Sequence, residues 1–453
     1  MSELIAAIAT PPGPGGVGIL RLSGPGAAQA AAHIFQPLGK TPLSEAPDRQ
    51  LLYGRVFDQA GDLLDTGLAF VSRAPHSYTG EETAEIQCHG SPVVLSLALD
   101  ALCAAGARLA RPGEFTQRAF LNGKLDLTQA EAVIDLIDAE TADAAANAAG
   151  QVAGAMRKRI DPVYDSWVDI CAHFHAVLDY PDEDIDPFEL SQLESALQAS
   201  SRTLSALLSS CHRGRMVRSG VRITILGSPN AGKSSLLNAL SGFDRVIVTD
   251  IPGTTRDTVE QTVTLGRHLV RLVDTAGIRD TEDVIEKIGV DRSVEAAKDC
   301  DAALFVVDDS RPLTDEDRRA MDAALEAPEA IAVLNKQDLG AVIEPSDLPF
   351  SYIIPVSCKD GTGFDLLEQA FDMLFPDDAP CDGSLLTNAR QADAIVRAKK
   401  SVDAALRSLR AGFTPDAVLV DLEAAMRALG EVTGRTMRED ITNRIFERFC
   451  VGK

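Results

Sequence analysis

Gly227-Ser228-Pro229-Asn230-Ala231-Gly232-Lys233-Ser234 fits G-x-x-x-x-G-K-[ST], between an apolar run from Val221 to Leu226 and the helix-like Leu236-Leu237-Asn238-Ala239-Leu240. Backbone N–H groups of such a loop cradle phosphate oxygens, and the helix N-terminus behind it adds its positive dipole end. Lys233 is then spaced to bridge β- and γ-phosphates, and the Ser234 hydroxyl to bind Mg²⁺. Three further motifs follow in order, each at the end of a strand-like run. Asp274-Thr275-Ala276-Gly277 closes Val270-Arg271-Leu272-Val273; Asp274 can hold the metal's hydration shell, and the Gly277 N–H can meet the γ-phosphate. Asn335-Lys336-Gln337-Asp338 closes the next. An aspartate there accepts from two guanine N–H groups and rejects adenine, whose edge presents the wrong donors. Ser357-Cys358-Lys359 takes the remaining base-supporting position. Each motif alone is weak; in this order they predict a GTP-binding domain.

Between the loop and Asp274 lies Thr249-Asp250-Ile251-Pro252-Gly253-Thr254-Thr255-Arg256-Asp257. Thr255 can complete Mg²⁺ coordination only when a γ-phosphate is present, which makes a switch. Ile278 stands where Ras-like enzymes carry a water-orienting glutamine, so hydrolysis must orient water through another group. A second glycine run, Gly13 to Gly18, satisfies G-x-G-x-x-G. A Pro-Pro pair precedes it and β-like Ile19-Leu20-Arg21-Leu22 follows, so it reads as a hairpin loop and not a dinucleotide site.

The elements that carry these residues change along the chain. Its 453 residues allow two to four domains, and 45% hydrophobic with 24% charged residues exclude wholesale disorder. Residues 1–118 hold strand-like runs (Val17 to Leu22, Thr66 to Val71, Thr83 to Cys88) and a helical segment from Val93 to Ala105, predicting an α+β domain. Residues 119–216 read as helical, with Thr128 and Glu131 spaced as a capping box. Residues 217–377 alternate strands with helices, predicting a doubly wound parallel sheet. Residues 378–453 are helical again. The expected architecture is therefore multidomain α+β and α/β, with an α/β domain inserted into a discontinuous helical one. No apolar run reaches about 18 residues and no signal peptide is visible, so the expectation is a cytoplasmic protein without a membrane span. Eight scattered cysteines predict reduced thiols. A net charge of −24 opposes generic nucleic-acid binding, so any such contact must be local, on a patch of opposite sign.

Taken together, the loop and Gly253-Thr254-Thr255-Arg256-Asp257 resemble the G domain of the TrmE–Era branch of P-loop GTPases. The whole chain resembles the TrmE (MnmE) family of tRNA modification GTPases. The likeness runs through Ala9-Thr10-Pro11-Pro12-Gly13, Arg21-Leu22-Ser23-Gly24, Ser77-Tyr78-Thr79-Gly80-Glu81-Glu82 and Arg111-Pro112-Gly113-Glu114-Phe115. It continues from Arg118 to Leu127 and ends at Phe449-Cys450-Val451-Gly452-Lys453. The resemblance implies an N-terminal domain that binds a 5-formyltetrahydrofolate-type donor and forms a homodimer. It also implies a Ras-like G domain activated by K⁺. Partnership with the FAD enzyme MnmG (GidA) in a heterotetramer is implied too, for modification at C5 of the wobble uridine (position 34) of certain tRNAs.

Residue by residue, the resemblance implies nucleotide contacts along Asn230-Ala231-Gly232-Lys233-Ser234-Ser235, Thr249-Asp250-Ile251-Pro252-Gly253-Thr254-Thr255 and Asp274-Thr275-Ala276-Gly277. Asn335, Lys336, Asp338, Ser357, Cys358 and Lys359 would hold the base. K⁺ would be ligated by Asn230, Thr249, Ile251 and Thr254, supplying the charge an arginine finger otherwise delivers; Mg²⁺ would be held by Ser234 and Thr255. Glu286 would orient the attacking water, with Asp274 and Lys233 in the catalytic set. Folate would meet Arg21, Glu81, Lys124 and Lys453, while Cys450 is either a participant in one-carbon chemistry or a structural thiol. Pro14 stands where a basic residue is common, and Pro252 stiffens the switch loop.

For tRNA, candidate basic clusters are Arg213, Arg215, Arg218 and Arg222, and Arg435, Arg438, Arg444, Arg448 and Lys453; a solvated helical face is the competing reading. Two other functions stay open from sequence. One is an Era-like ribosome-assembly GTPase, which predicts a basic RNA-binding appendage that the sequence does not display. The other is a folate-binding GTP switch without an RNA role.

Overall fold

A computed structural model describes residues 3–179, 190–243, 261–273, 295, 297–376, 380–436 and 452. The chain forms two compact units, one comprising Met1–Ile134, Gln151–Thr203 and Asp393–Lys453, the other Asp135–Gly150 and Leu204–Ala392.

The first unit opens with a seven-stranded sheet of β1 (Ile5–Ile8), β2 (Gly15–Ser23), β3 (Phe35–Pro37), β4 (Leu52–Phe57), β5 (Leu63–Ser72), β6 (Thr83–Gly90) and β7 (Arg108–Leu109). Their order is β3-β4-β5-β6-β2-β1-β7, antiparallel except for β7 along β1. The two-residue period of a strand decides which side chains do chemistry. In β2, Leu20 and Leu22 are buried and Arg21 turns to the other face, half-exposed. The helices Ala27–Ile34 and Pro92–Ala104 bury Ala28, Ala31, Ile34, Leu95, Ala98 and Leu102 against this core. The glycine run ends the β1–β2 hairpin and enters β2 through a register irregularity between Gly15 and Gly18, with no helix following. Its rejection as a dinucleotide fingerprint holds, although Gly15 to Gly18 belong to the strand and not to the loop.

Helices complete this unit. Along Ala155–Asp179, Trp167 is fully buried and donates its indole N–H to Ser200 Oγ of Leu190–Ser209 at 3.0 Å. The expected capping box shifts by two residues. Asp126, not Thr128, caps the helix Leu127–Ile137: Gln129 N donates to Asp126 Oδ1 at 2.9 Å, and Asp126 N donates to Gln129 Oε1 at 3.0 Å. Thr128 instead hydrogen-bonds Asp126 Oδ1 at 2.6 Å and is buried inside the first turn. Aspartate is the stronger cap, and a glutamine three residues on closes the box equally well.

The second unit holds a six-stranded sheet of β8 (Val221–Leu226), β9 (Gln261–Leu265), β10 (His268–Val273), β11 (Ala302–Asp308), β12 (Ala330–Asn335) and β13 (Tyr352–Pro355). Their order is β13-β12-β11-β8-β10-β9, parallel except for the β9–β10 hairpin. β11 is buried along its whole length, as expected of a central strand covered on both faces. Leu304 and Val306 pack in one core with Leu236, Leu240, Leu367 and Phe371, while Phe305 and Val307 pack in another with Met321 and Ala324. The sheet is therefore doubly wound, with Lys233–Phe243 and Phe364–Leu374 on one face and Asp315–Ala324 on the other. Among the described residues the cysteines form no disulfide, with Cys88, Cys171 and Cys300 buried, and no helix is long and apolar enough to cross a membrane.

Candidate functional site

The glycine-rich loop leaves the C-terminal end of β8, the central position of the second unit's sheet. Parallel α/β sheets bind ligands at that edge. Gly227 must be glycine for a packing reason: a Cβ there would overlap the carbonyl oxygen of Val306 in β11. Gly232 has φ 101°, and a Cβ there would overlap the Asn335 side-chain amide. Asn230 takes the left-handed conformation at φ 64°, with its side chain exposed. The Lys233 ammonium donates to the carbonyls of Gly227 and Ser228, both at 2.8 Å, so it is folded over the loop. Burial pulls its pKa below the usual lysine value. A bound phosphate would replace those carbonyls and restore the charge's favourable environment. Ser234 and Ser235 lie exposed in the first turn of the helix.

The second and third motifs close on the first. Asn335 Nδ2 donates to the Ala231 carbonyl at 3.0 Å, and the Cys358 N–H donates to Asn335 Oδ1 at 3.4 Å. One buried asparagine thus ties the phosphate loop to both base loops. Asp338 accepts from Ser357 Oγ at 3.1 Å and from Lys359 Nζ at 3.2 Å. The Lys359 ammonium, helped by Ser357, holds the Asp338 carboxyl below the usual aspartate range, ionised and acceptor-only as recognition of two guanine N–H groups requires. Lys336, left-handed at φ 69°, donates to Asp308 Oδ2 at 2.6 Å and stretches back over the sheet edge. Burial and the charge of Asp338 push the Cys358 thiol up to about 11, so it is a neutral packing group.

Sequence reasoning missed a brace under the loop. Arg311 donates to Ser228 Oγ at 3.2 Å and to Asp317 Oδ2 at 2.7 Å. Asp317 is fully buried; burial opposes its charge, but Arg311, Ser228 and Thr314 outweigh this and depress its pKa. The legible part was Thr314-x-x-Asp317, a capping box in the structure. The partnership with Ser228 spans 83 residues and leaves no spacing to read.

In the first unit, Arg21, Glu81 and Lys124 border one loop. Arg21 donates to Glu85 Oε1 at 2.7 Å and to the Gly452 carbonyl at 3.2 Å. Glu81 Oε2 accepts from Ser23 Oγ at 2.7 Å and from Arg118 Nη1 at 2.8 Å. Lys124 donates to the Pro75 carbonyl at 3.0 Å, and its stem packs beside Gly80. Arg118 was quoted in the sequence only as part of a run, yet it grips Glu81 and, at 2.9 Å, Glu114 Oε1. Glu114 also takes Arg108 at 2.8 Å. Burial works against its ionisation, but Arg108, the Arg111 N–H and Arg118 bring the carboxyl down to about 2.

Thr249, Asp250, Ile251, Pro252, Gly253, Thr254, Thr255, Asp274, Thr275, Ala276, Gly277, Glu286, Cys450 and Lys453 lie outside the described residues. Of the basic clusters, Arg215 pairs with Asp301, Arg218 with Asp135 at 2.8 Å, and Arg435 with Asp161 at 2.9 Å and Asp165 at 3.3 Å. Acidic neighbours answer these cations, and the competing solvated-face reading is the better one for them. Arg438, Arg444 and Arg448 also fall outside the described residues.

A doubly wound sheet with this phosphate loop at its central strand and an Asn-Lys-x-Asp loop tied to it defines a P-loop guanine-nucleotide-binding protein. Residues 4–124 match the family described as the GTP-binding protein TrmE N-terminus, and residues 127–450 match the MnmE helical domain. A tRNA modification GTPase MnmE from Roseiflexus sp. (strain RS-1) is 44% identical over 468 residues, covering 100% of this chain and 99% of the relative. Proteins of the same description from Thermoanaerobacter pseudethanolicus (41% over 458 residues) and Symbiobacterium thermophilum (43% over 462 residues) each cover 100% of this chain and 99% of their own. The chain belongs to the MnmE (TrmE) family of GTPases.

Proposed function

We propose that this protein hydrolyses GTP in the course of tRNA modification. In this reading it acts with MnmG at C5 of the wobble uridine and uses a tetrahydrofolate-type one-carbon donor. The observation that carries the GTP half is Asn335, whose bonds to Ala231 and to the Cys358 N–H couple the phosphate loop to the base loops. Asp338 selects guanine. Lys233 transfers its hydrogen bonds from loop carbonyls to phosphate oxygens, and Ser234 offers a hydroxyl to Mg²⁺.

An exposed amide at Asn230, on left-handed backbone beside the phosphate loop, fits a ligand of K⁺, with Thr249, Ile251 and Thr254 as the other donors. When bound, K⁺ supplies positive charge near the β–γ bridge. Glu286 orients water in place of the absent glutamine. The N-terminal cluster fits a folate: Glu81, held by Ser23 and Arg118, accepts from a donor edge like that of a pterin. Arg21, Lys124 and Lys453 answer an anionic tail. Homodimerisation through the N-terminal domain and a cytoplasmic location belong to the same reading, with domains at 1–118, 119–216, 217–377 and 378–453.

Mass spectrometry of tRNA nucleosides from cells lacking the chain tests this. C5-aminomethyl-type wobble uridines are expected to vanish, and to return with the wild type but not with Asp274→Ala. An unchanged profile removes the tRNA half and leaves a folate-binding GTP switch. GTP turnover is expected to fall severely when Na⁺ replaces K⁺; equal rates would overturn the potassium assignment.

A further inference from the structure

Among the described residues the last two long helices, Ala389–Arg410 and Pro415–Thr433, form a hairpin in the first unit from residue 393 onward. Ser408 meets Asp421 near the turn at 3.4 Å, and Arg397 meets Glu431 at 2.6 Å further along, so the helices run antiparallel. Between them lies a groove of about 530 Å³. Ser401, Ala404, Ala424 and Ala428 floor it, and Arg397, Lys400, Arg407 and Arg427 rim it.

Its charge runs against the rest of the chain. The helix Ala389–Arg410 has six basic and two acidic residues and Pro415–Thr433 one basic and four acidic, but the groove's own lining holds four cations and two carboxylates in a protein of net charge −24. The two acids lining the groove are engaged: Glu431 takes Arg397, and Asp421 takes Ser408. Lys400, Arg407 and Arg427 are exposed. Arg407 lies near enough to Asp403 to help hold its carboxyl below the usual range, and Arg427 donates to the Glu423 carbonyl at 3.4 Å, but among the described residues no carboxylate closes to a salt bridge with any of the three. This separates them from Arg215, Arg218 and Arg435, each of which has a carboxylate partner. Lys400 and Arg407 stand seven residues apart on one face, about 10 Å along the axis.

The floor of serine and alanine admits a strand closely but lacks the aromatic anchors of a protein hot spot, so affinity here must come from charge. We propose that this groove binds the phosphate backbone of an RNA strand, that of the tRNA in the function proposed above, on which this inference rests.

The test uses the full chain and unfractionated tRNA from cells lacking it, with binding read by fluorescence anisotropy across a salt series. Wild type and Lys400→Gln/Arg407→Gln/Arg427→Gln are compared, with far-UV circular dichroism and intrinsic GTP turnover as controls expected not to change. The triple variant is expected to bind at least tenfold more weakly. Its slope of log K against log salt should be shallower by about 2–3, the value for three lost phosphate contacts. Unchanged affinity and slope in a folded variant overturn the groove while leaving tRNA as the substrate. If the wild type itself binds no tRNA and the nucleoside profile is normal, the tRNA reading fails and the groove assignment with it. Polyglutamate is the second probe: equal affinity for it, lost in the same variant, overturns the RNA assignment in favour of an acidic protein partner.

Discussion

The two polar centres of this protein are built in opposite ways. In the second unit, the phosphate-loop motif is mainly backbone: a loop shaped by Gly227 and Gly232, a helix N-terminus, and carbonyls that hold Lys233. In the first unit, the cluster around Glu81 and Glu114 is made of side chains: Arg108 and Arg118 reach the buried Glu114 from six and four residues away, and Arg118 also reaches Glu81 across 37 residues. A backbone site needs its residues in one run, so it leaves a motif. A side-chain network needs only proximity, so its long-range pair, Arg118 with Glu81, leaves no spacing to read. The loop should therefore break through steric change and keep its charge logic, while the cluster should break through charge and tolerate shape.

The largest effect is expected from Gly227→Ala. Its Cβ would overlap the Val306 carbonyl, a backbone atom in the middle of the sheet that cannot step aside. GTP affinity should fall by about 10³ or more, roughly 4 kcal/mol, in calorimetric titration. Retained affinity would show that the loop is not positioned by β11, and the contrast between the centres would collapse. Arg118→Met comes next. It nearly preserves shape but leaves Glu81 and Glu114 short of their shared cation, and losing one partner of a buried pair costs about 3–5 kcal/mol. The denaturation midpoint should drop while the folded variant binds GTP as the wild type does; a loss under about 1 kcal/mol would reduce the cluster to a surface feature.

The smallest effect is an acid titration. The native carboxyl of Glu114 titrates near 2, against an ordinary value of 4.5, so between those values the unfolded chain holds a proton that the native protein does not. Stability therefore rises with pH across that window, by about 1.4 kcal/mol per unit for this one proton, and its contribution is lost as pH falls through about 2. Glu114→Gln should lack that component in equilibrium denaturation curves. An identical slope would mean that its neighbours carry the acid sensitivity.

Legibility followed the same division. The strand at Val221–Leu226 appeared where the apolar run placed it, because a strand with parallel neighbours on both sides buries most of its residues, five of six here. Asn335 and Asp338 were readable as ligands of a base, but the bond from Asn335 to Ala231 was not, since 104 residues separate them. The helix cap was misplaced from Asp126 to Thr128 because two overlapping boxes compete, and only the folded first turn shows which side chain points back. The partners of the basic clusters were unreadable for a related reason: the carboxylates that answer Arg215 and Arg435 come from Asp301 and Asp161, far away in sequence.

By itself, then, the sequence determined the nucleotide loop, the order of the guanine-selective motifs, the doubly wound sheet and the family likeness, because each depends on residues that are neighbours along the chain. Tertiary structure alone decided that Arg311 braces Ser228, that Arg118 grips Glu81, and that Arg397 closes a salt bridge with Glu431 across the C-terminal hairpin. Electrostatic partnership is a matter of a few ångströms in space, and an ion pair stabilises as well across 86 residues, as between Arg215 and Asp301, as across four.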